Sequence, residues 1–298
     1  LISTFSTIFL GIFIEALPFL LMGTLASGIV EVFVNREALM RWLPTGRFWV
    51  VLTGGLLGFL FPVCECGVVP LTRRLYQKGM PLSMGIAFLL AAPIVNPIVI
   101  ISTHAAFGWG PVFWGRIGLG LGTAVLTGLL FSFQPREEAL RPRASSVVCP
   151  LPAHGDAPSG PFGQKLIRVG VIAADELFEM GFFLILGAFL AALMQTVVPQ
   201  NALLSLGQGP LVSVVLLAAL GVLLSICSTV DAFVALSFAA SFSTGSILAF
   251  LVYGPMVDIK SVFLFARVFK GKSIVYLVLV PLFLVVLAAV FINFRLGI

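Results

Sequence analysis

Residues 1–34 carry only two charged side chains, Glu15 and Glu31. A run so long and apolar reads as a tilted transmembrane helix, since about 20 apolar residues span the hydrocarbon core. Lipid offers no partner to backbone N–H and C=O groups, so the spanning chain must be helical or a closed barrel. The segment lacks a basic flank and a small-residue cleavage site, and is expected to remain as the first span rather than be removed as a signal peptide. Further apolar runs follow at 48–61, 81–103, 107–133, 169–198, 211–226, 247–269 and 273–294. With 60% hydrophobic and 10% charged side chains, the chain is read as an all-α integral membrane protein rather than a soluble globule. Its 17 basic residues are a topology signal, and no nucleic-acid partner is expected. Trp42, Trp49, Trp109 and Trp114 fall near expected helix ends, where interface anchors belong, and Arg116 is placed at the interface beside Trp114.

Two of the apolar stretches are interrupted by chemistry. FPVCECGVVPL at 61–71 stops a run with Pro62, presents Cys64, Glu65 and Cys66, and stops again at Gly67 and Pro70. SICSTVDAF at 225–233 carries Cys227 and Asp231. Non-helical backbone at membrane depth is tolerated where protein or a water-filled cavity surrounds it, so both breaks are candidate substrate sites. The competing reading makes the cysteines small buried hydrophobes in kinked helices. The fourth cysteine, Cys149, lies in the polar stretch 134–164, whose His154 has no metal-ligand partner at useful spacing.

The halves of the chain match. Glu15 and Gly23 pair with Glu179 and Gly187 at an offset of 164, Cys64 with Cys227 at 163, and Pro93-x-x-Asn96 with Pro255-x-x-Asp258 at 162. Interruptions at corresponding places in two halves point to a transporter's central site. The expected organisation is a first transmembrane repeat over 1–133, a flexible cytoplasmic linker over 134–165 and a second repeat over 166–298. If every run crosses, eight spans form a parallel pair of halves and the basic residues are split between faces. If 48–75 and 211–240 are re-entrant hairpins with cysteines near their tips, each half has three crossings and the halves are inverted. Arg36, Arg41, Arg47, Arg73, Arg74 and Lys78 then share a face with the basic residues of 136–168 and 267–272, as the positive-inside rule favours.

Thiolates select soft, thiophilic centres, and Cys64, Cys66 and Cys227 offer two or three sulfurs to one such as trivalent arsenic. Cys-x-Cys suits an extended loop, in which residues two apart point the same way. Asn96 and Asp231 complete the candidate substrate site. Intramembrane carboxylates are functional candidates by default. Glu15, Glu65, Glu179 and Asp258 are therefore read as proton-coupling candidates, with Lys260 as a partner for Asp258. The alternative is helix capping, which suits Asn96 and Asp258, each three residues after a proline. No Walker A pattern is present, so the transport expected is secondary, with no cofactor and no resident metal.

FPVCECGVVPL at 61–71, AFLLAAPIVNPIV at 87–99 and ICSTVDAFVA at 226–235 resemble the motifs of the predicted-permease family that includes the ArsP organoarsenical efflux permeases. The resemblance implies a multi-pass protein of a bacterial or archaeal inner membrane that expels trivalent organoarsenicals such as methylarsenite, with Cys64, Cys66 and Cys227 as the implicated thiols. Carriage of a sulfur-containing or other small metabolite is the alternative of the same class. A membrane thiol-disulfide oxidoreductase is the enzyme alternative, although it would ordinarily use Cys-x-x-Cys pairs.

Overall fold

A computed structural model describes residues 2–35, 37, 41, 44, 46–61, 63–141, 162–197, 209–239 and 241–296. Pro62, Cys149, His154 and most of the expected linker lie outside these residues. The described chain is helical: α1 (Ile2–Phe33), α2 (Arg47–Leu60), α3 (Glu65–Gln77), α4 (Leu82–Val95), α5 (Pro97–Phe107), α6 (Pro111–Phe131), α7 (Arg136–Ala139), α8 (Phe162–Val197), α9 (Pro210–Leu224), α10 (Asp231–Phe238), α11 (Thr244–Met256), α12 (Ile259–Val268) and α13 (Gly271–Leu296).

Among the described residues six helices or broken helix pairs are long and apolar enough to cross a bilayer: α1, α4 with α5, α6, α8, α11 with α12, and α13. The chain is an all-α membrane protein. With 14 and 15 residues, α2 and α9 reach only about 21–23 Å at 1.5 Å per residue, against a hydrocarbon core of about 30 Å. Each turns back instead. Gly54 and Gly58 of α2 face Met84 and Ala92 of α4, so α2 runs parallel to α4. Tyr76, at the end of α3, faces Gly85 and donates to the Leu82 carbonyl at the start of α4, so α3 runs the opposite way. The pair α9 and α10 forms the corresponding hairpin, with Ser213 against Ser246 and Gly221 against Gly254 of α11.

Small residues set these packings. A methyl added at Gly58 would lie 2.8 Å from Ala92 Cα, and one at Gly221 would lie 3.1 Å from Gly254 Cα. The same close crossing thus recurs in both halves, and in lipid such backbone approach is what holds helices together. Gly23 of α1 meets the backbone of Gly67 on α3, and Gly187 of α8 meets Lys260 Cα on α12. Along α1 and α8, Gly28 approaches Val169 while Ile12 packs with Ala188 and Ala191, so these two long helices are antiparallel.

Every residue of α4 is buried, and α11 is buried from Gly245 to Met256, as suits central helices that are apolar all round. Much of α1, α8 and α13 is exposed and apolar, as lipid-facing helices should be. Arg47 lies over the Phe133 ring, Arg141 donates to the Phe269 carbonyl, and Arg267 and Arg73 meet at Glu179. These contacts gather the ends of α3, α6 and α12 and the start of α2 on one face. Residues 134–141 of the expected linker pack there through a bridge between Leu140 and Phe269, and its last residues, 162–165, already belong to α8.

Candidate functional site

Each interruption has a local cause. At the first tip α2 ends at Phe61, and Cys64 adopts extended backbone (φ −82, ψ 179) as the N-cap of α3, accepting from the Gly67 and Val68 amides at 3.1 and 3.0 Å. Glu65 and Cys66 already belong to α3. This corrects the extended Cys-x-Cys expectation: helix formation begins between the two thiols, so they do not project in parallel from a strand. At the second tip α9 ends at Ser225, whose left-handed backbone (φ 47) is uncommon away from glycine, and α10 restarts at Asp231. Between them Cys227 accepts from the Val230 and Asp231 amides.

Proline and capping chemistry breaks the spans. Asn96 has extended backbone, its side chain accepts from the Ile98 amide at 3.0 Å, and Pro97 opens α5. Asp258 forms a capping box with Ser261, accepting from the Ser261 amide at 2.6 Å while Ser261 Oγ accepts from the Asp258 amide at 2.9 Å. The capping role considered for both residues is the one observed. Asn96 also donates to the Val63 carbonyl at 3.4 Å, which ties the first break to the first tip.

The two tips converge. Cys64, Cys66 and Cys227 are free and buried, and Cys64 lies within electrostatic range of both others. All three belong to one apolar core that draws Leu20 from α1, Phe88 and Ile94 from α4, Met180 and Leu184 from α8, and Phe265 from α12. Against them stands a buried charge cluster. Lys260 Nζ is 3.6 Å from Glu65 Oε1 and 3.4 Å from Asp258 Oδ2, with all three side chains at most 4% exposed. Lys260 also lies within electrostatic range of Cys66 and Cys227. One cation faces two carboxylates, and neither Glu65 Oε2 nor Asp258 Oδ2 has a hydrogen-bond partner. Among the described residues no group of three or more His, Cys, Asp or Glu side chains is placed to hold a metal ion.

The remaining candidates lie elsewhere. Glu15 is half-buried on α1 and forms no described ion pair. Glu179 binds Arg73 of α3 at 2.7 Å and also Arg267 of α12, toward the basic face. Beside it Arg74 donates to the nearly buried Glu176 at 3.0 Å, and Lys78 donates to the Glu31 carbonyl at 2.7 Å.

Asp231 is not paired with a cysteine-side group: its Oδ2 accepts from Arg116 Nη2 at 2.7 Å. Arg116 is 1% exposed, which overturns its interfacial placement. Trp114 is exposed at 61%, and residues two apart on a helix point about 200° apart, so the tryptophan faces outward while the arginine turns in. That spacing was the signal available in the sequence. Gln195 had no such signal. It leaves α8 to donate to the Leu223 and Leu224 carbonyls at 3.2 and 2.8 Å, satisfying the end of α9.

A family described as "Predicted permease", of the ArsP type, matches residues 1–294. The chain belongs to this permease family. Its relatives include "UPF0718 protein YcgR" of Bacillus subtilis, 46% identical over 286 residues that cover 95% of this chain and 94% of the relative. The "Putative two-component membrane permease complex subunit" of Streptococcus mutans is 40% identical over 273 residues, covering 91% and 89%. A shorter match, 26% identical over 135 residues, covers 43% of the chain and 37% of "UPF0718 protein MJ0584" of Methanocaldococcus jannaschii. No solved structure matches the permease. Family membership and six candidate spans make it a multi-pass cell-membrane protein of a transporter family.

Proposed function

We propose that the permease is a secondary exporter of a thiophilic solute, most concretely a trivalent organoarsenical such as methylarsenite, with proton coupling. The observation that carries this reading is the meeting of Cys64 and Cys227, one from each hairpin tip, beside Glu65, Lys260 and Asp258. Methylarsenous acid has two exchangeable hydroxyls, so two thiols suffice. Each As–S bond forms as an As–O bond breaks, and the thiol proton leaves with the hydroxide as water. Arsenic stays trivalent. Cys66 is the third sulfur at the site, and Asn96 and Asp231 hold the elements around it.

Release reverses the exchange: water restores each As–O bond and its proton returns to the sulfur, so the exchange takes up no net proton and coupling requires one carried by a separate group. A buried cluster of two carboxylates and one ammonium is more stable with one carboxyl protonated than with a net charge in low dielectric. Glu65 and Asp258 are thus placed to hold and deliver that proton. Of the four coupling candidates they are preferred over Glu15, which is outside the cluster, and Glu179, which two arginines bind as a structural link. The inverted relation of the halves belongs to the same proposal. The antiparallel α1 and α8 and the recurring Gly58–Ala92 and Gly221–Gly254 crossings support it, and rocking of one half against the other would alternate access to the tips.

Burial of all three thiols counts against an oxidoreductase, which must expose its disulfide to a partner. By likeness to the Streptococcus mutans relative, we further propose that a second membrane subunit accompanies this chain. The test of function is arsenic uptake into everted membrane vesicles under an imposed proton gradient. Parental protein should accumulate methylarsenite, and Cys64→Ser and Cys227→Ser should fall to the level of empty vesicles. Undiminished uptake by both variants would refute the proposal.

A further inference from the structure

Arg116 lies in the first half of the chain, yet most of its bonds reach the second. Nη1 donates to Thr103 Oγ1 at 2.9 Å, while Nη2 donates to Asp231 Oδ2 at 2.7 Å and to the Ser228 carbonyl at 3.3 Å. Thr103 is itself braced, donating to the Val99 carbonyl of α5 at 2.7 Å. The arginine therefore grips both ends of the short turn between Cys227 and α10, and one of its acceptors is the residue next to the thiol. Within that turn the backbone bonds from Val230 and Asp231 both return to Cys227. They shape the turn but do not fix where it sits relative to the other half.

The energetics argue for a locating role. A buried ion pair contributes little net stability over well-packed apolar side chains, because desolvation offsets the Coulombic gain. Its best-attested use is to specify one arrangement among near-equals. Here Ser225 gives the second tip a left-handed joint, and α10 is only eight residues long. Apolar packing alone would tolerate shifts of such a tip by the fraction of an ångström that matters to a two-point ligand.

Resting on the reading of Cys64 and Cys227 as ligands, we propose that Arg116 is a positioning residue: by holding Ser228 and Asp231 it keeps the Cys227 thiol opposite Cys64, so that one trivalent arsenic can bond to both.

Two aryl arsenicals separate this from a general role in folding. Phenylarsonous acid has two exchangeable hydroxyls and can bridge both thiols, whereas diphenylarsinous acid has one and bonds to a single thiol. The second attachment contributes through effective concentration, which depends on the spacing of the thiols. Binding of each compound is measured by displacement on the purified full-length chain carrying Cys149→Ser. Arg116→Gln should weaken phenylarsonous acid by about tenfold or more while diphenylarsinous acid stays within about twofold. Arg116→Lys, which keeps the charge and one direction of bonding, should recover part of the loss. If Arg116→Gln does not purify, Thr103→Val, which removes one brace, should shift the ratio of the two affinities in the same direction.

Unchanged binding of both compounds would overturn the proposal, and so would a parallel loss of both, which marks a merely structural arginine. Cys227→Ser tests the underlying reading separately. If the parental chain bound phenylarsonous acid no more tightly than Cys227→Ser does, the two-thiol site itself would be absent, whatever Arg116 did.

Discussion

Lys260, just past the break in the second half, is paired at 3.6 Å with Glu65 in the first turn after the first tip. The contact joins the halves at the level of the cysteines. It also leaves the buried cluster one carboxylate in excess, since Asp258 stands on the other side of the same ammonium at 3.4 Å. That imbalance is the physical basis of the proposal that a coupling proton is held here.

Removing the cation should therefore hurt more than removing a carboxylate. Lys260→Met leaves two buried carboxylates unpaired and should cost about 3–5 kcal/mol, the range for breaking a buried pair by deleting one partner. Glu65→Gln in the same chain should restore much of the loss. Thermal unfolding in detergent of the two single variants and the double variant checks this. A double variant no more stable than Lys260→Met would contradict the pairing.

Capping and charge can be separated at Asp258. Asn keeps the acceptor for the Ser261 amide and removes the charge, whereas Ala removes both. Asp258→Asn should unfold near the parental temperature, and Asp258→Ala should lose about 1 kcal/mol more, the usual worth of an N-cap. If Asp258 shares the coupled proton, both variants should lose accumulation driven by a pH gradient while still equilibrating substrate. Full gradient-driven accumulation by Asp258→Asn would exclude that role.

Glu179 should behave differently. Its two arginine partners and its side chain are each 17–26% exposed, so screening limits the contribution to about 1 kcal/mol. Glu179→Gln should lose about that much in an unfolding assay, with the difference shrinking in added salt. Proton-coupled uptake should persist. Loss of coupling with stability intact would move the proton site to this residue.

Helix contact can be graded by glycine substitution. Gly23→Ala drives a methyl into the Gly67 backbone and should cost about 1–3 kcal/mol, as overpacking does. Gly221→Ala, whose methyl would sit 3.1 Å from Gly254 Cα, should cost less. Gly118→Ala, with nothing within 4 Å, should be within about 0.5 kcal/mol of parental. Equal effects at all three positions would contradict the packing described.

Much of this arrangement was legible because its signals are local. The Pro-x-x-Asn and Pro-x-x-Asp pairs mark where α4 and α11 end, whereas the stop expected at Gly67 and Pro70 is not made: α3 runs through both, from Glu65 to Gln77. Basic residues sorted to one face favour hairpins over two further crossings. The pairing of Asp258 with Lys260 follows from two positions of separation. What could not be read was which distant elements meet. Arg116 finds Asp231 across 115 positions and Arg74 finds Glu176 across 102, and no periodicity in an apolar chain selects one buried polar partner over another. The Cys-x-Cys geometry departs from expectation for a related reason: the helix begins directly after Cys64, whose backbone carbonyl accepts from the Gly67 and Val68 amides, and nothing in the local sequence marks that start.

The account stands on the meeting of the two tips, and oxidative cross-linking tests it most directly. In native membranes, with Cys66 and Cys149 replaced by Ser, mild copper-phenanthroline oxidation followed by peptide mass mapping should recover a disulfide joining the Cys64 and Cys227 peptides. Pretreatment with methylarsenite should block it. If both cysteines instead stay reduced, each reacting singly with a small alkylating agent and never with the other, the tips do not meet and the proposed site does not exist.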